Sequence, residues 1–379
     1  MSEESFILRM SLDGRASQFV MGPCAVLELK RFVTQAPPLY IIDEEVAVHH
    51  PNWVEQIQEG CTEGEHPTLI LPGGESIKTL ASLESVYRWL GKHNLPRDGT
   101  LVAVGGGTLL DLAGLAASTW RRGVNFVSIP TTLLAMVDAA IGGKTAVNTA
   151  GVKNTVGTFH PASGILADIG FLSTLPREHW QGGMAELIKT AIIGDRDLFQ
   201  SLYSARPGLR HLLDDPETDQ PIGGILGAMP WRQWIGRAAA VKADIVSRDF
   251  REGDLRKQLN LGHTLGHVLE AWSLDTDTPL NHGQAVAIGM AVVFRIAAER
   301  GLCSLVEAIQ VVDLLESCGL PTQFEGLPEA ELKRLLLGDK KQETGTGLSW
   351  VLPRRIGRVE TGGQITTDEI HKWINLEAT

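Results

Sequence analysis

Four apolar residues, Leu101–Val104, run directly into Gly105-Gly106-Gly107-Thr108, and a helical pattern follows from about Leu109 to Ser118. Comparable short apolar runs recur nearby. Tyr40–Ile42 ends at Asp43, Thr68–Leu71 runs into Pro72-Gly73-Gly74-Glu75, and Asn125–Pro130 ends at Thr131-Thr132. Short buried strands alternating with helices predict an α/β domain built on a parallel sheet. Strand, glycine turn and helix in succession bring backbone N–H groups and a helix N-terminus against a phosphate. The full GxGxxG fingerprint is absent, so the turn fits a nucleotide or phosphate and fits a plain tight turn equally well. Asp43 has two readings as well, a ribose ligand or a helix cap. Glu75 and Lys78 fit either a nucleotide or an ordinary turn and helix start.

The densest polar cluster follows the fourth strand. Asp138, Lys144, Asn148, Lys153 and Asn154 stand among small residues that cannot build a core, with Arg122 just upstream. The cluster reads as a surface loop or short strands. Two lysines beside Gly142-Gly143 also suggest an anion pocket. After Leu172–Pro176 the chain turns helical. Glu186 and Lys189 lie three apart on one helix, Lys242 sits in a helical stretch from Arg237 to Ser247, and the nearly apolar run after His282 reads as a core helix. A β-like end follows Lys341, and residues 204–235 read as a loop with a short helix.

One stretch in this half carries its own chemistry. Arg256, Asn260, His263 and His267 are spaced four, three and four residues apart, which places them on one stripe of a helix, with Glu252 and Glu270 extending it. Solvated stripes are mostly Lys and Glu, and Gly262 and Gly266 each cost a helix about 1 kcal/mol against Ala. Glycines four apart point to close packing. Two histidines at i and i+4 with a distant third, His282, form a common zinc arrangement.

Composition narrows the classes. The net charge of −11 over 379 residues argues against nucleic acid as the main partner. The N-terminus MSEESFILRM is acidic where a secretory signal needs bases, and no apolar run reaches the ~20 residues of a membrane span. Cys24, Cys61, Cys303 and Cys318 form no CxxC pair and read as reduced thiols of a cytoplasmic protein.

Taken together, GGGTLLDLAG, RGVNFVSIPTTLLAMVDAAIGGKTAVN, VKNTVGTFHPASGILAD, TLPREHWQGGMAELIKTA, VKADIV, LNLGHTLGH, NHG and DKK stand in the order and rough spacing of the 3-dehydroquinate synthase family of sugar-phosphate cyclases. The chain resembles that family over about residues 40 to 360. The resemblance implies an NAD-binding α/β domain over residues 1–177 and an all-α metal- and substrate-binding domain over 178–379. It implies bound NAD, contacted by Asp43, Glu75, Lys78, Gly106, Gly107, Asp111, Thr131, Thr132 and Thr174. It implies one Zn2+ or Co2+, held by Glu186, His263 and His282. Lys144, Lys189, Asn154, His267 and Asp138 would be catalytic. Arg122, Lys153, Lys242, Arg256, Asn260 and Lys341 would bind substrate. A homodimer is implied too.

The implied reaction takes 3-deoxy-D-arabino-heptulosonate 7-phosphate to 3-dehydroquinate and phosphate, with the cofactor oxidising and later re-reducing one alcohol. Sister cyclases use sedoheptulose 7-phosphate or glucose 6-phosphate, which lack the carboxylate. Lys242, Arg256, Asn260 and Lys341 match the carboxylate-using type. A sister cyclase and an NAD- and metal-dependent polyol dehydrogenase of related fold are the alternatives. Two positions depart from the family pattern. Leu110 replaces the glycine before Asp111, which would crowd the turn. Gln284 replaces the acid of HGE, which would weaken an outer partner of the metal.

Overall fold

A computed structural model describes residues 5–22, 25–59, 66–214, 226–227, 229–274, 276–340 and 349–374. Contacts divide the chain into two compact units, Met1–Pro176 with Pro221–Arg251, and Arg177–Gln220 with Glu252–Thr379. The sequence boundary at 177 assigns everything beyond it to the second domain. The Trp231–Arg248 helix instead belongs with the first unit. Its Gly236 lies so close to Met21 and Phe6 that a Cβ there would meet both at 3.2–3.3 Å, and its Lys242 pairs with Asp138.

Among the described residues the first unit has nine strands: β1 (Phe6–Leu12), β2 (Arg15–Met21), β3 (Leu39–Asp43), β4 (Thr68–Leu71), β5 (Thr100–Gly105), β6 (Asn125–Pro130), β7 (Lys144–Thr149), β8 (Val152–Phe159) and β9 (Gly164–Ala167). Seven of them form one sheet in the order β1-β2-β9-β6-β5-β3-β4. Only the β1–β2 pair is antiparallel, closed by Asp13 and Gly14, both with positive φ. Parallel strands are covered on both faces, hence the unbroken apolar runs of β3 and β5. Tyr40, Ile42, Val102, Val104, Val127, Ile129 and Leu166 meet in the core.

Strand order reverses between β3 and β5, because the chain goes from β3 out to β4 and then returns to the other side of β3. Such a switch leaves a crevice at the carboxyl ends of the strands. Strands β7 and β8 form a separate hairpin, turned by Ala150 and Gly151, both with positive φ.

The second unit is helical, with an antiparallel ribbon of Trp350–Arg355 and Arg358–Gly363 formed from the β-like end of the sequence. Its central helix, His282–Glu299, is buried along nearly its whole length and packs on the His263–Ser273 and Arg177–Gly194 helices. Glycines make the approach possible. A Cβ on Gly289 would stand 2.0 Å from the Gly262 carbonyl oxygen, and one on Gly266 would stand 3.2 Å from the Ala285 oxygen.

The single helical stripe expected from Arg256 to His267 is interrupted. Leu255–Asn260 is a 3-10 turn, Gly262 takes φ 79°, and a new helix begins at His263. The left-handed glycine pressed against Gly289 breaks the helix, so Arg256 and Asn260 lie before the break and His263 and His267 after it. Gly289→Ala should therefore destabilise the protein by about 1–3 kcal/mol through overpacking. Gly182→Ala, where a Cβ meets nothing within 4 Å, should be neutral or gain up to about 1 kcal/mol of helix propensity. Thermal unfolding of the two variants beside the parent checks the contrast.

Candidate metal centre and dinucleotide crevice

In the first unit, Asp43 stands at the end of β3, Gly73–Glu75 follow β4, Gly105–Gly107 end β5, and Thr131-Thr132 follow β6. The parallel register puts all of them at the carboxyl edge of the sheet, around the β3/β5 switch. Thr174 ends the 3-10 turn beyond β9 and bonds His50 at 2.7 Å. Gly106 is the N-cap of the Gly107–Thr119 helix and has no side chain to cap the first turn. A Cβ on Gly107 would meet Ala139 at 3.0 Å, and one on Gly106 would meet Thr132 at 3.2 Å. These glycines let the turn sit low and leave its N–H groups for an anion.

Asp43 accepts from the Glu45 N–H at 3.0 Å, so it caps the following helix. Lys78 donates to Asp111 at 2.6 Å. Burial raises the Asp111 carboxyl above its ordinary value, with Lys78 opposing. Leu110 is buried within the helix beside Asp111.

The hairpin carries Lys144, Lys153 and Asn154 on exposed positions. Asn154 takes φ 56°, and Arg122 φ 68°; both are left-handed and uncommon for residues other than glycine. Lys242 is buried and donates to the Asp138 carbonyl at 2.7 Å and to its carboxylate at 2.6 Å. Asn148, whose role no local pattern marks, links the groups just described. Its amide nitrogen donates to Glu75 at 2.8 Å, its side-chain oxygen accepts from the Asn154 N–H at 2.8 Å, and its own N–H donates to the Lys78 carbonyl. Glu75 also accepts from Thr108.

In the second unit, one carboxylate and two imidazoles converge. Donor atoms of Glu186, His263 and His282 lie within 4.8 Å of one another, the one such metal-ligand grouping among the described residues. Glu186 is buried in the middle of the Arg177–Gly194 helix, and neither oxygen is met with hydrogen-bond geometry. Lys189 forms an ion pair with Oε2 from one turn along. The Nε2 atoms of His263 and His282 both stand 3.6 Å from Oε1.

Each imidazole has an acceptor on its other side. His263 Nδ1 lies 3.2 Å from the Leu261 carbonyl, and His282 Nδ1 lies 3.3 Å from Glu270. A carbonyl only accepts, so Nδ1 of His263 carries the hydrogen and Nε2 is left as a lone pair. A carboxylate and two imidazoles suit zinc and leave coordination positions open. His267 is exposed beside the cluster, its ring centroid 5.5 Å from that of His263 and 6.2 Å from that of His282. Arg256 is buried, and Asn260 donates to Glu252 at 3.3 Å. Lys341 lies outside the described residues.

Gln284 is placed elsewhere than the sequence suggested. With Asn281 it forms a reciprocal capping box at the start of the His282–Glu299 helix, each side chain meeting the other's N–H at 3.0 Å. It fixes the helix start rather than reaching the metal-ligand set.

Burial would raise the Glu186 carboxyl, but Lys189 and the two imidazoles outweigh it and hold it well below the usual carboxylate range. Burial, with Lys189 adding to it, holds His263 well below its ordinary value. For His282 burial acts downward too, yet the nearby carboxylates of Glu186 and Glu270 win and push it up to about 9.

An open, mostly parallel sheet with a glycine turn at its switch point, followed by a helical unit bearing a carboxylate–imidazole set, defines the dinucleotide-binding α/β class with a metal-ligating helical unit. Family models described as 3-dehydroquinate synthase N-terminal and C-terminal match residues 68–182 and 183–342. A 3-dehydroquinate synthase of Microcystis aeruginosa (strain NIES-843 / IAM M-2473) is 41% identical over 299 residues, 79% of this chain and 78% of that one. One of Synechococcus sp. (strain CC9605) is 42% identical over 302 residues, 80% and 77% of the two chains. Among solved structures, 2-epi-5-epi-valiolone synthase from Streptomyces hygroscopicus subsp. jinggangensis 5008, with NAD+ and Zn2+ bound, superimposes with a TM-score of 0.78 at 30% identity, covering 93% of this chain and 94% of that one. The chain belongs to the 3-dehydroquinate synthase family.

Metal uptake should release protons in a defined number. Below pH 9 the metal-free His282 carries a proton that an ion at Nε2 must displace, whereas His263 is already neutral and Glu186 already ionised. Calorimetric Zn2+ titration at pH 7.5 in buffers of differing ionisation enthalpy should give release of about one proton per ion from the ligand set. Affinity should fall as pH falls. Glu186→Gln should abolish tight uptake.

Proposed function

We infer that this chain is a 3-dehydroquinate synthase, an NAD- and divalent-metal-dependent lyase that converts 3-deoxy-D-arabino-heptulosonate 7-phosphate to 3-dehydroquinate and phosphate. The observation that carries the inference is the buried Glu186 with its two imidazoles, in a chain whose relatives bear that activity in name. When bound, NAD supplies a transient oxidation that is later reversed, and the ion lowers the pKa of the hydroxyl it holds.

The chain's own residues account for the rest. Asp43, Glu75, Lys78, Gly106, Gly107, Asp111, Thr131, Thr132 and Thr174 hold the dinucleotide, the glycine turn taking its phosphates. Glu186, His263 and His282 hold Zn2+ or Co2+. Lys144, Lys189, Asn154 and His267 hold the phosphate, and their positive and donor groups stabilise the charge it gathers as it leaves. Lys153 and Arg122 add positive charge for the same group. Asp138 orients the buried Lys242, accepting from its ammonium at 2.6 Å.

Arg256, Lys242, Asn260 and Lys341 receive the substrate carboxylate, the group that separates this substrate from the neutral-ended sugar phosphates of sister cyclases. A sister cyclase acting on sedoheptulose 7-phosphate is the competing reading. Cytoplasmic working as a homodimer goes with the family reading, and the buried free thiols of Cys303 and Cys318 suit a reducing compartment.

Phosphate release should be faster with the seven-carbon keto acid phosphate than with sedoheptulose 7-phosphate, and no NADH should accumulate. Preference for sedoheptulose 7-phosphate would assign a sister activity, and accumulating NADH a dehydrogenase. Arg256→Ala should lower kcat/KM for the keto acid phosphate on the order of 100-fold, mostly through KM. An unchanged kcat/KM would show that the carboxylate is held elsewhere.

A further inference from the structure

Glu270 extends the histidine-bearing face of its helix, seven residues beyond His263 and three beyond His267. Nothing in the reaction outlined above employs it. Its side chain is 13% exposed, and its Oε2 stands 3.3 Å from His282 Nδ1. The two imidazoles of the cluster differ in how they are held. His263 is fixed by a backbone carbonyl, that of Leu261, and its ring is 13% exposed. His282 is the first residue of its helix and 37% exposed, so helix packing alone does not hold its ring.

We propose that Glu270 is the positioning residue of the metal centre: it accepts the Nδ1 hydrogen of His282 and so presents the Nε2 lone pair beside Glu186. Carboxylate, imidazole and ion in series is a general arrangement that fixes ring orientation, selects the tautomer and raises ligand basicity. Lys189 already meets part of the Glu186 charge, so Glu270 brings a second carboxylate to the cluster.

The inference rests on Glu186, His263 and His282 being a metal site, and its test separates the two claims. Protein stripped with chelator is titrated with Zn2+ against a chromophoric competitor. Co2+ uptake is followed by its visible absorption, and the thermal midpoint of each metal-free protein is recorded. Relative to the parent, Glu270→Ala should weaken ion affinity roughly 10- to 100-fold and alter the Co2+ spectrum. Glu270→Gln, which keeps an acceptor oxygen but loses the charge, should lose less. Unaltered affinity and spectrum in both variants, even with a shifted metal-free midpoint, would overturn the positioning assignment and leave the metal site standing. A parent that takes up no ion would remove the metal site and this inference together.

Discussion

A carboxylate enclosed in a protein without hydrogen bonds has to be met by positive charge, and Glu186 is such a group. It occupies the middle of an 18-residue helix most of whose residues are buried. Lys189 meets part of the charge from the same helix, and the Nε2 atoms of two histidines face the other oxygen. The histidines come from the beginnings of two further helices, so the ligand set exists only when three helices are packed in one register. The electrostatic requirement of one side chain and the packing of the unit are therefore a single problem.

Glycines solve the packing half of it. Gly262 and Gly289 approach so closely that no side chain fits between them, and a Cβ on Gly283 would stand 2.4 Å from the Gly182 Cα of the Glu186 helix. The left-handed turn at Gly262 ends one segment and starts another, aiming His263 from the first turn of its helix. Asn281 and Gln284 cap the helix that begins with His282. In the first unit a related economy operates at the sheet edge. Gly105–Gly107 keep the turn low, and residues after β3, β4, β5 and β6 gather along one edge because parallel strands end on the same side.

Much of this was legible in the sequence. Buried parallel strands announce themselves as apolar runs, and β6 and the core helix after His282 lie where the pattern put them. The unusual composition of the Arg256–His282 stretch marked it as chemistry rather than surface. Spacing was misleading where a glycine changed the backbone: a stripe drawn through Arg256 and His267 presumes one continuous helix, and Gly262 breaks it. Spacing alone also made His263 and His267 a natural zinc pair, because the partnership of His263 with Glu186 and His282 is tertiary and leaves no local signal. The return of Trp231–Arg248 to the first unit was invisible for the same reason. Asp13-Gly14 is a readable hairpin signal, whereas the links made by Asn148 follow from a fold that no short window encodes.

The central claim is that Glu186, His263 and His282 form the metal centre and that His267 stands outside it. Anomalous diffraction at the zinc edge, from crystals grown with Zn2+ and NAD, tests that claim most directly. The account predicts one strong peak at about 2.0–2.2 Å from a Glu186 oxygen and from Nε2 of His263 and His282. A peak bonded to His267 in place of His282, or no peak at Glu186, would contradict it.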